Sequence, residues 1–412
     1  MSKLYNTQED FAINFNKFVL NIYPKARKTQ LNILPYILFG MTKAESSVAS
    51  DIARELEDKF DFVQHDSNVK RIRRFYNNKL FDGENFYDAL IKHVIFNYKK
   101  KHKDFRVHII IDHMFSHDNY TTLMMSMRVG KQGIPLWFRS FKGKKVSDAF
   151  EESLIIEGIN YIIDLFKHTK YKLTFLADRW FNSTNLMKTI EKSGHIYCFR
   201  LKKNIKCFIY DKKEGHKIWK WLDELTTYEW HSALYDDVIL TESKFKCKIV
   251  CSKRHGTDDA WILATNGNYR QTIIDYGYRF GGIETIFKNQ KSNGFYIENI
   301  VNATEKSYQT MYALVCTCIL FHTIIGTDYS KNTRCYKNIK IVTHKKYKSK
   351  GLVRVLSLFN TGLTLFKRAI NSRIYIRIPI KFKTILEIFL RAIISIFFIN
   401  NEQKCSFCNI FM

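Results

Sequence analysis

The chain is poor in proline, with 4 in 412 residues, and short of acid, with 39 Asp and Glu against 66 Lys and Arg. Few prolines together with 46% hydrophobic residues exclude a disordered polymer and leave room for two or three domains around a substantial core. The nine cysteines follow no spacing framework, which fits reduced thiols rather than a disulfide scaffold. One Cys-x-x-Cys pair, Cys405 and Cys408, lacks a second pair at zinc-ribbon distance and reads as incidental. The first residues contain no apolar export segment. The most lipophilic run, residues 385–399, is interrupted by Glu387 and Arg391 and is too short for a bilayer, so the expectation is a soluble intracellular protein. No internal repeat is evident, and no ribonucleoprotein signature marks an RNA-binding sheet.

What is abundant is positive charge. A formal charge of +27 points to a polyanionic partner, because Lys and Arg neutralise phosphates and release counterions. An AT-rich coding sequence also raises Lys, Asn, Ile, Tyr and Phe, so location says more than the total. Between Ser330 and Leu386 there are fifteen Lys or Arg and no Asp or Glu. Such a stretch needs an anionic partner or strong solvation.

The first hundred residues read as helical. Thr7 to Asp10 resembles a capping arrangement before Phe11, Phe15, Phe18, Val19 and Ile22 at helical spacing. Val48, Ile52, Leu56 and Phe60 make a second apolar stripe, and Ser67 is placed to cap a helix carrying Lys70, Arg71, Arg73 and Arg74. A basic helix in a small helical domain suits DNA binding, while the plain alternative is a bundle with a solvated charged face. A basic cluster, Lys99 to Lys103, closes the region. From 106 on, the pattern predicts strands over 107–111, 121–129 and 136–141, a helix over 148–168, a strand over 173–177, a helix over 183–193 and a strand over 196–201. Three strands, helix, strand, helix, strand is the element order of a ribonuclease H-like core. Residues 202–265 carry short strand-prone pieces and read as a β-rich insertion, and a helix over 303–325 completes the core. The expected fold class is thus α/β: a helical domain over 1–100, a ribonuclease H-like catalytic domain with its insertion over 101–328, and a basic, partly helical region over 329–412.

Asp112 and Asp178 each follow an apolar run rich in strand formers, Val107–Ile111 and Leu173–Ala177. A carboxylate at the exit of a buried strand faces an opening. Three converging carboxylates are what hard divalent ions such as Mg²⁺ require, and Glu284 is the third candidate. If residues 284–291 form one helix, Glu284, Lys288 and Lys291 share a face while Ile283, Ile286 and Phe287 turn inward. One face then offers a metal ligand and two phosphate-seeking cations; the plain alternative is an ordinary amphipathic helix with a Glu–Lys pair. Weaker candidates are Arg179, His113, His117, Asp118, Glu298 as a fallback carboxylate, and Trp219, Trp221, Trp230 and Trp261 near the insertion, each of the four more simply read as core packing.

The element order, Ile-Asp112, Leu-Ala-Asp178-Arg-Trp-Phe, the segment Tyr276-x2-Arg279…Glu284-x6-Lys291, Gln30-Leu-Asn32 and Arg71-Ile-Arg-Arg74 together resemble the DDE transposases of bacterial insertion sequences, specifically the insertion sequence four family, over roughly residues 10–370. The resemblance implies a ribonuclease H-like domain in which Asp112, Asp178 and Glu284 bind two Mg²⁺ or Mn²⁺ ions. It implies contacts to the DNA end from Tyr276, Arg279 and Lys291, and cut-and-paste movement through a hairpin intermediate. Its partners would be double-stranded DNA, as terminal inverted repeats and target, and a second copy in a synaptic homodimer. The setting implied is the bacterial cytoplasm, on the nucleoid. An aromatic stacking on a flipped base is another family feature. The chain departs from the pattern in one place: four residues, Phe280 to Ile283, separate Arg279 from Glu284 where the family has three. Two glycines can absorb the extra residue as a bulge, and Tyr278 can stand in for Tyr276. Competing readings are a ribonuclease H-like nuclease without strand transfer, a non-catalytic DNA-binding derivative of a transposase, and a basic RNA-binding protein.

Overall fold

The computed structural model describes residues 19–371, with breaks at 57–63, 97–105, 117–119, 144–146, 212–213, 226, 241–242, 254, 257–258, 293, 301, 332–340, 348–350 and 355. The Thr7–Asp10 cap, Phe11, Phe15, Phe18, Phe60, the Lys99–Lys103 cluster, His117, Asp118, Cys405 and Cys408 lie outside the described residues. By internal packing the chain divides into two compact units, one up to Leu90 together with the chain from Thr310, the other from Ile91 to Gln309. The first unit therefore joins the N-terminal helices to segments that the sequence pattern assigned to the end of the catalytic domain and to the tail.

The N-terminal elements are helices α1 (Lys28–Leu31), α2 (Leu34–Ala44), α3 (Ala49–Arg54), α4 (His65–Tyr76) and α5 (Gly83–Phe96). Pro35 sits in the first turn of α2, where its missing N–H has no helical partner to lose. Helix α4 sorts its residues cleanly. Val69, Ile72, Phe75 and Tyr76 are buried at three- and four-residue spacing, while Lys70, Arg71, Arg73 and Arg74 are exposed. It starts at His65, earlier than the Ser67 cap expected, because the chain is already turned at Gln64, whose carbonyl accepts from the Ser67 amide at 2.9 Å.

The second unit is built on one ten-stranded sheet. Its strands are β1 (Arg106–Phe115), β2 (Tyr120–Val129), β3 (Gln132–Lys142), β4 (Lys172–Ala177), β5 (Ile196–Arg200), β6 (Lys206–Asp211), β7 (His216–Trp221), β8 (Ser232–Leu240), β9 (Phe245–Ser252) and β10 (Trp261–Thr265), in the order β3-β2-β1-β4-β5-β10-β9-β8-β6-β7. Helix α6 (Asp148–Phe166) links β3 to β4 and α7 (Thr184–Lys192) links β4 to β5. Strands β1, β4 and β5 are parallel, and β2 runs antiparallel between β1 and β3. The expected element order from 106 to 201 is observed. Ser147 caps α6 by accepting from the Phe150 amide, and Ile155, Ile159, Ile162 and Phe166 are buried as the spacing predicts, whereas Phe150 is exposed.

Residues 202–265 are strand-rich as expected, but they extend the central sheet: β10 pairs antiparallel with β5. Strand β8 is interrupted by a bulge between Tyr235 and Val238, where Asp237 takes φ +58°. After β10 come α8 (Tyr269–Gly277) and α9 (Ile283–Gln290), then α10 (Glu305–Lys331), a hairpin of β11 (His344–Tyr347) and β12 (Gly351–Arg354), and α11 (Leu358–Asn371). Among the described residues α10 is long and apolar enough to cross a membrane by length and composition, yet 94% of that window is buried, as in a core helix. Cys198, Cys207, Cys247, Cys251, Cys316 and Cys318 are buried and form no disulfide.

Candidate active site

The parallel ladder between β1 and β4 ends at the pair Ile111 and Ala177. The next residue on each chain is an aspartate, so register alone brings Asp112 and Asp178 side by side. Asp112 is not at the end of its strand as the sequence suggested. Its pairing with β2 continues through Phe115, opposite Thr121, so it lies within β1 but beyond the reach of β4. Asp178 does leave its strand, and its Oδ1 accepts from the Arg179 amide at 2.6 Å to cap a short 3-10 turn, Arg179–Phe181.

The two carboxylates share one cation. A terminal nitrogen of Arg279 stands 2.9 Å from Asp112 Oδ2 and 3.4 Å from Asp178 Oδ2, and the arginine is only 8% exposed. Burial pushes the Asp112 carboxyl above the usual carboxylate range; the Arg279 charge and the His113 amide oppose that shift, and the Asp178 charge adds to it.

The loop holding Arg279 is set by close packing. Helix α8 stops at Gly277, Gly281 turns the chain at φ +80°, and α9 starts at Ile283. A Cβ on Gly282 would stand 2.6 Å from Ile110 Cδ1. One on Gly133 would stand 2.8 Å from the Gly282 carbonyl, so strand and loop meet through bare backbone. Arg128 clamps the same loop by donating to the carbonyls of Tyr278 and Phe280. The four residues between Arg279 and Glu284 thus run through a turn at Gly281 into the start of α9.

Glu284 lies in the first turn of α9. Its Oε2 accepts from the Gly281 amide at 3.3 Å, where the helix dipole favours a carboxylate. Among the described residues no three His, Cys, Asp or Glu side chains form a group able to hold a metal ion. The structure brings Asp112 and Asp178 together and leaves Glu284 at its own helix end. The shared face expected of Glu284, Lys288 and Lys291 is also incomplete. Lys288 is exposed on α9, but Lys291 follows the helix with ψ −102°, and its Nζ lies 3.0 Å from the Phe115 carbonyl and 2.7 Å from Glu298 Oε1. Glu298, the fallback carboxylate, is thereby engaged with that lysine.

Of the two tyrosines, Tyr276 is wholly buried and its hydroxyl has no hydrogen-bond partner among the described residues, whereas Tyr278 is 38% exposed with the Arg128 guanidinium 4.7 Å from its ring centre. Arg179 touches Asp178 through its backbone amide only. Its guanidinium stands 3.6 Å from Asp259, where Arg200 at 3.7 Å and Lys203 at 2.8 Å also converge. Trp261 is packed, its ring parallel to Phe280 at 5.7 Å, but Trp219, Trp221 and Trp230 are exposed, against the packing expected of each.

Sequence reasoning did not reach Glu151. This acid in the first turn of α6 binds His113 Nε2 at 2.9 Å and Trp180 Nε1 at 3.0 Å, and the His113 hydrogen bond holds its carboxyl below the usual range. His113 belongs to strand β1 and stacks on Phe181 at 4.7 Å, so it braces the Asp178 turn from behind and is no loop residue. Only its place in a helix's first turn marked Glu151.

No protein-family model and no curated protein matches the chain. A solved structure of the Argonaute of Marinitoga piezophila, in complex with 5′ OH guide RNA and target DNA, aligns at TM-score 0.21 and 15% identity over 48% of this chain. The aligned part spans 30% of that Argonaute's length, and a likeness of this size does not establish a common fold.

Proposed function

We propose that the chain is a metal-dependent DNA strand-cleaving and strand-transferring enzyme of the DDE transposase type, with a ribonuclease H-like core. One observation carries this reading: Asp112 and Asp178 occupy matching positions one step past the β1–β4 ladder and share a single cation. A core of strand order β3-β2-β1-β4-β5, with β2 antiparallel to its neighbours and β1, β4 and β5 parallel, supports it. So do the exposed cations of α4, suited to a duplex backbone.

Two of the three proposed carboxylates stand ready for a hard divalent cation, and the third, Glu284, is held at its own helix end. Asp112 and Asp178 offer adjacent carboxylate oxygens, and the guanidinium between them marks a place where positive charge is stabilised. Asp112, Asp178 and Glu284 would hold Mg²⁺ or Mn²⁺, with Glu284 giving up the Gly281 amide. The ions would supply Lewis acidity for phosphodiester cleavage and transfer. Arg279 neutralises the pair at rest and turns to a phosphate oxygen when DNA is bound. His113 and Glu151 fix the Phe181 turn, and so the Asp178 carboxylate. The substrate would be duplex DNA bearing terminal inverted repeats, cut through a hairpin intermediate by a homodimer that holds two ends.

The test is cleavage of end-bearing DNA with Mg²⁺ or Mn²⁺ by the wild type, Asp178→Asn and Glu284→Gln. End-specific nicking and joining by the wild type, lost in both variants while binding persists, supports the reading. Nicking without joining would leave a nuclease. Glu284 bound to its own helix end favours one second reading, a DNA-binding protein without catalysis. Binding of the ends by all three proteins, with no cutting by any, would select it.

A further inference from the structure

Strands β6 and β7 form a hairpin at one edge of the large sheet, and their register sorts two faces. Cys207 and Ile209 point inward and are buried. The other face carries the cross-strand pairs Lys206–Trp221, Phe208–Trp219 and Tyr210–Lys217. On a sheet with one buried face, the outer residues of such a hairpin are ordinarily polar. Here four of the six are aromatic. Tyr210 is 57% exposed, Trp219 55% and Trp221 44%. The Phe208 and Trp219 rings touch at 3.6 Å between centroids, and the Lys206 ammonium lies 4.7 Å from the Trp221 ring centre. Rings of this size held in water lose the stabilisation that burial would contribute, so an aromatic face left open points to a partner.

We infer that this face is a binding platform for single-stranded nucleic acid, separate from the Asp112–Asp178 pair and independent of its chemistry. Unpaired bases have free π-faces that stack on exposed rings, and Lys206 and Lys217 stand at opposite ends of the ring row, where backbone phosphates would run. A duplex keeps its bases stacked inside and cannot use the rings. Charge continues past the platform: Lys203, three residues before β6, joins Arg179 and Arg200 around the exposed carboxylate of Asp259. The surplus of cation in the chain, +27 overall, favours a polyanion over an acidic or neutral protein groove.

The experiment uses the full chain with oligo(dT) and a duplex of equal length, in fluorescence anisotropy across a salt series. A dT oligomer carrying 5-iodouracil serves for photocrosslinking and peptide mapping. Trp219→Ala with Trp221→Ala should weaken oligo(dT) binding by roughly tenfold or more, through loss of base stacking, and leave duplex binding unchanged. Crosslinks should map to residues 206–221. Lys206→Gln with Lys217→Gln should flatten the salt dependence, by roughly 0.7 in slope for each phosphate no longer neutralised. All these side chains project outward, so an unchanged melting temperature confirms that the variants fold. Three results would overturn the inference: oligo(dT) affinity unchanged in the tryptophan variant, equal loss for duplex and single strand, or crosslinks confined to other segments. Self-association at high protein concentration that is abolished by the tryptophan changes, with oligo(dT) affinity intact, would assign the face to a second copy and overturn it as well.

Discussion

Replacing Arg279 by glutamine should unlock the two aspartates. Removing one member of a buried ion pair costs about 3–5 kcal/mol, because the partner charge is left without compensation. The side chains of Asp112 and Asp178 are 25% and 34% exposed, so water recovers part of that loss. About 2 kcal/mol is then expected, or roughly 5 °C in melting temperature for a unit of this size. The pH dependence has a definite sign. The Asp112 carboxyl already sits above its unfolded value through burial, and Arg279 is the strongest influence holding it down. Without Arg279 it rises further. A raised carboxyl binds its proton more tightly in the folded state, so stability falls as pH rises past the unfolded value and returns as pH drops. Urea unfolding in EDTA from pH 4 to 8 should therefore show a deficit in Arg279→Gln that is largest at neutral pH and shrinks in acid. Added Mn²⁺ should raise the melting temperature of the variant more than that of the wild type, since no guanidinium competes for the oxygens. Equal stability of the two proteins across pH in EDTA would refute the bridging role.

Other outcomes follow from the packing. Gly133→Ala places a methyl 2.8 Å from the Gly282 backbone carbonyl and should cost about 1–3 kcal/mol in urea unfolding, and under the proposed function it should also weaken DNA cleavage as the Arg279 loop shifts. His322 is buried in the helical unit, bonded to Thr42 at 3.2 Å, and burial lowers its pKa to about 3. Its neutral form stabilises the fold above the unfolded value near 6.5, and that contribution is lost as pH falls below it, at about 1.4 kcal/mol per pH unit. His322→Gln should flatten the acid limb of a denaturation series between pH 6 and 4. Lys70→Ala with Arg73→Ala, both exposed on α4, should leave stability unchanged within about 0.5 kcal/mol and reduce the salt slope of duplex binding by about one for each phosphate that the side chain neutralises.

Much of the architecture was legible because it rests on short-range physics. The apolar runs 107–111 and 173–177 are strands, and the three- and four-residue spacing of Val69, Ile72 and Phe75 makes the inner face of a helix, because side-chain period follows directly from backbone geometry. Asp112, Asp178 and the glycine turn before Glu284 were visible for the same reason. The structure decided what depends on long-range pairing. Register across β1 and β4 sets the two aspartates side by side, and Arg279, 167 residues from Asp112, bridges them. Helix termini placed Lys291 outside α9 and turned Glu284 to its own N-terminus. Pairing of β6 with β7 gathered three exposed rings and two lysines onto one face. Composition and periodicity report which residues prefer burial and which element they form. Which side chains meet depends on strand order and register, and those are settled by contacts between residues far apart in the chain.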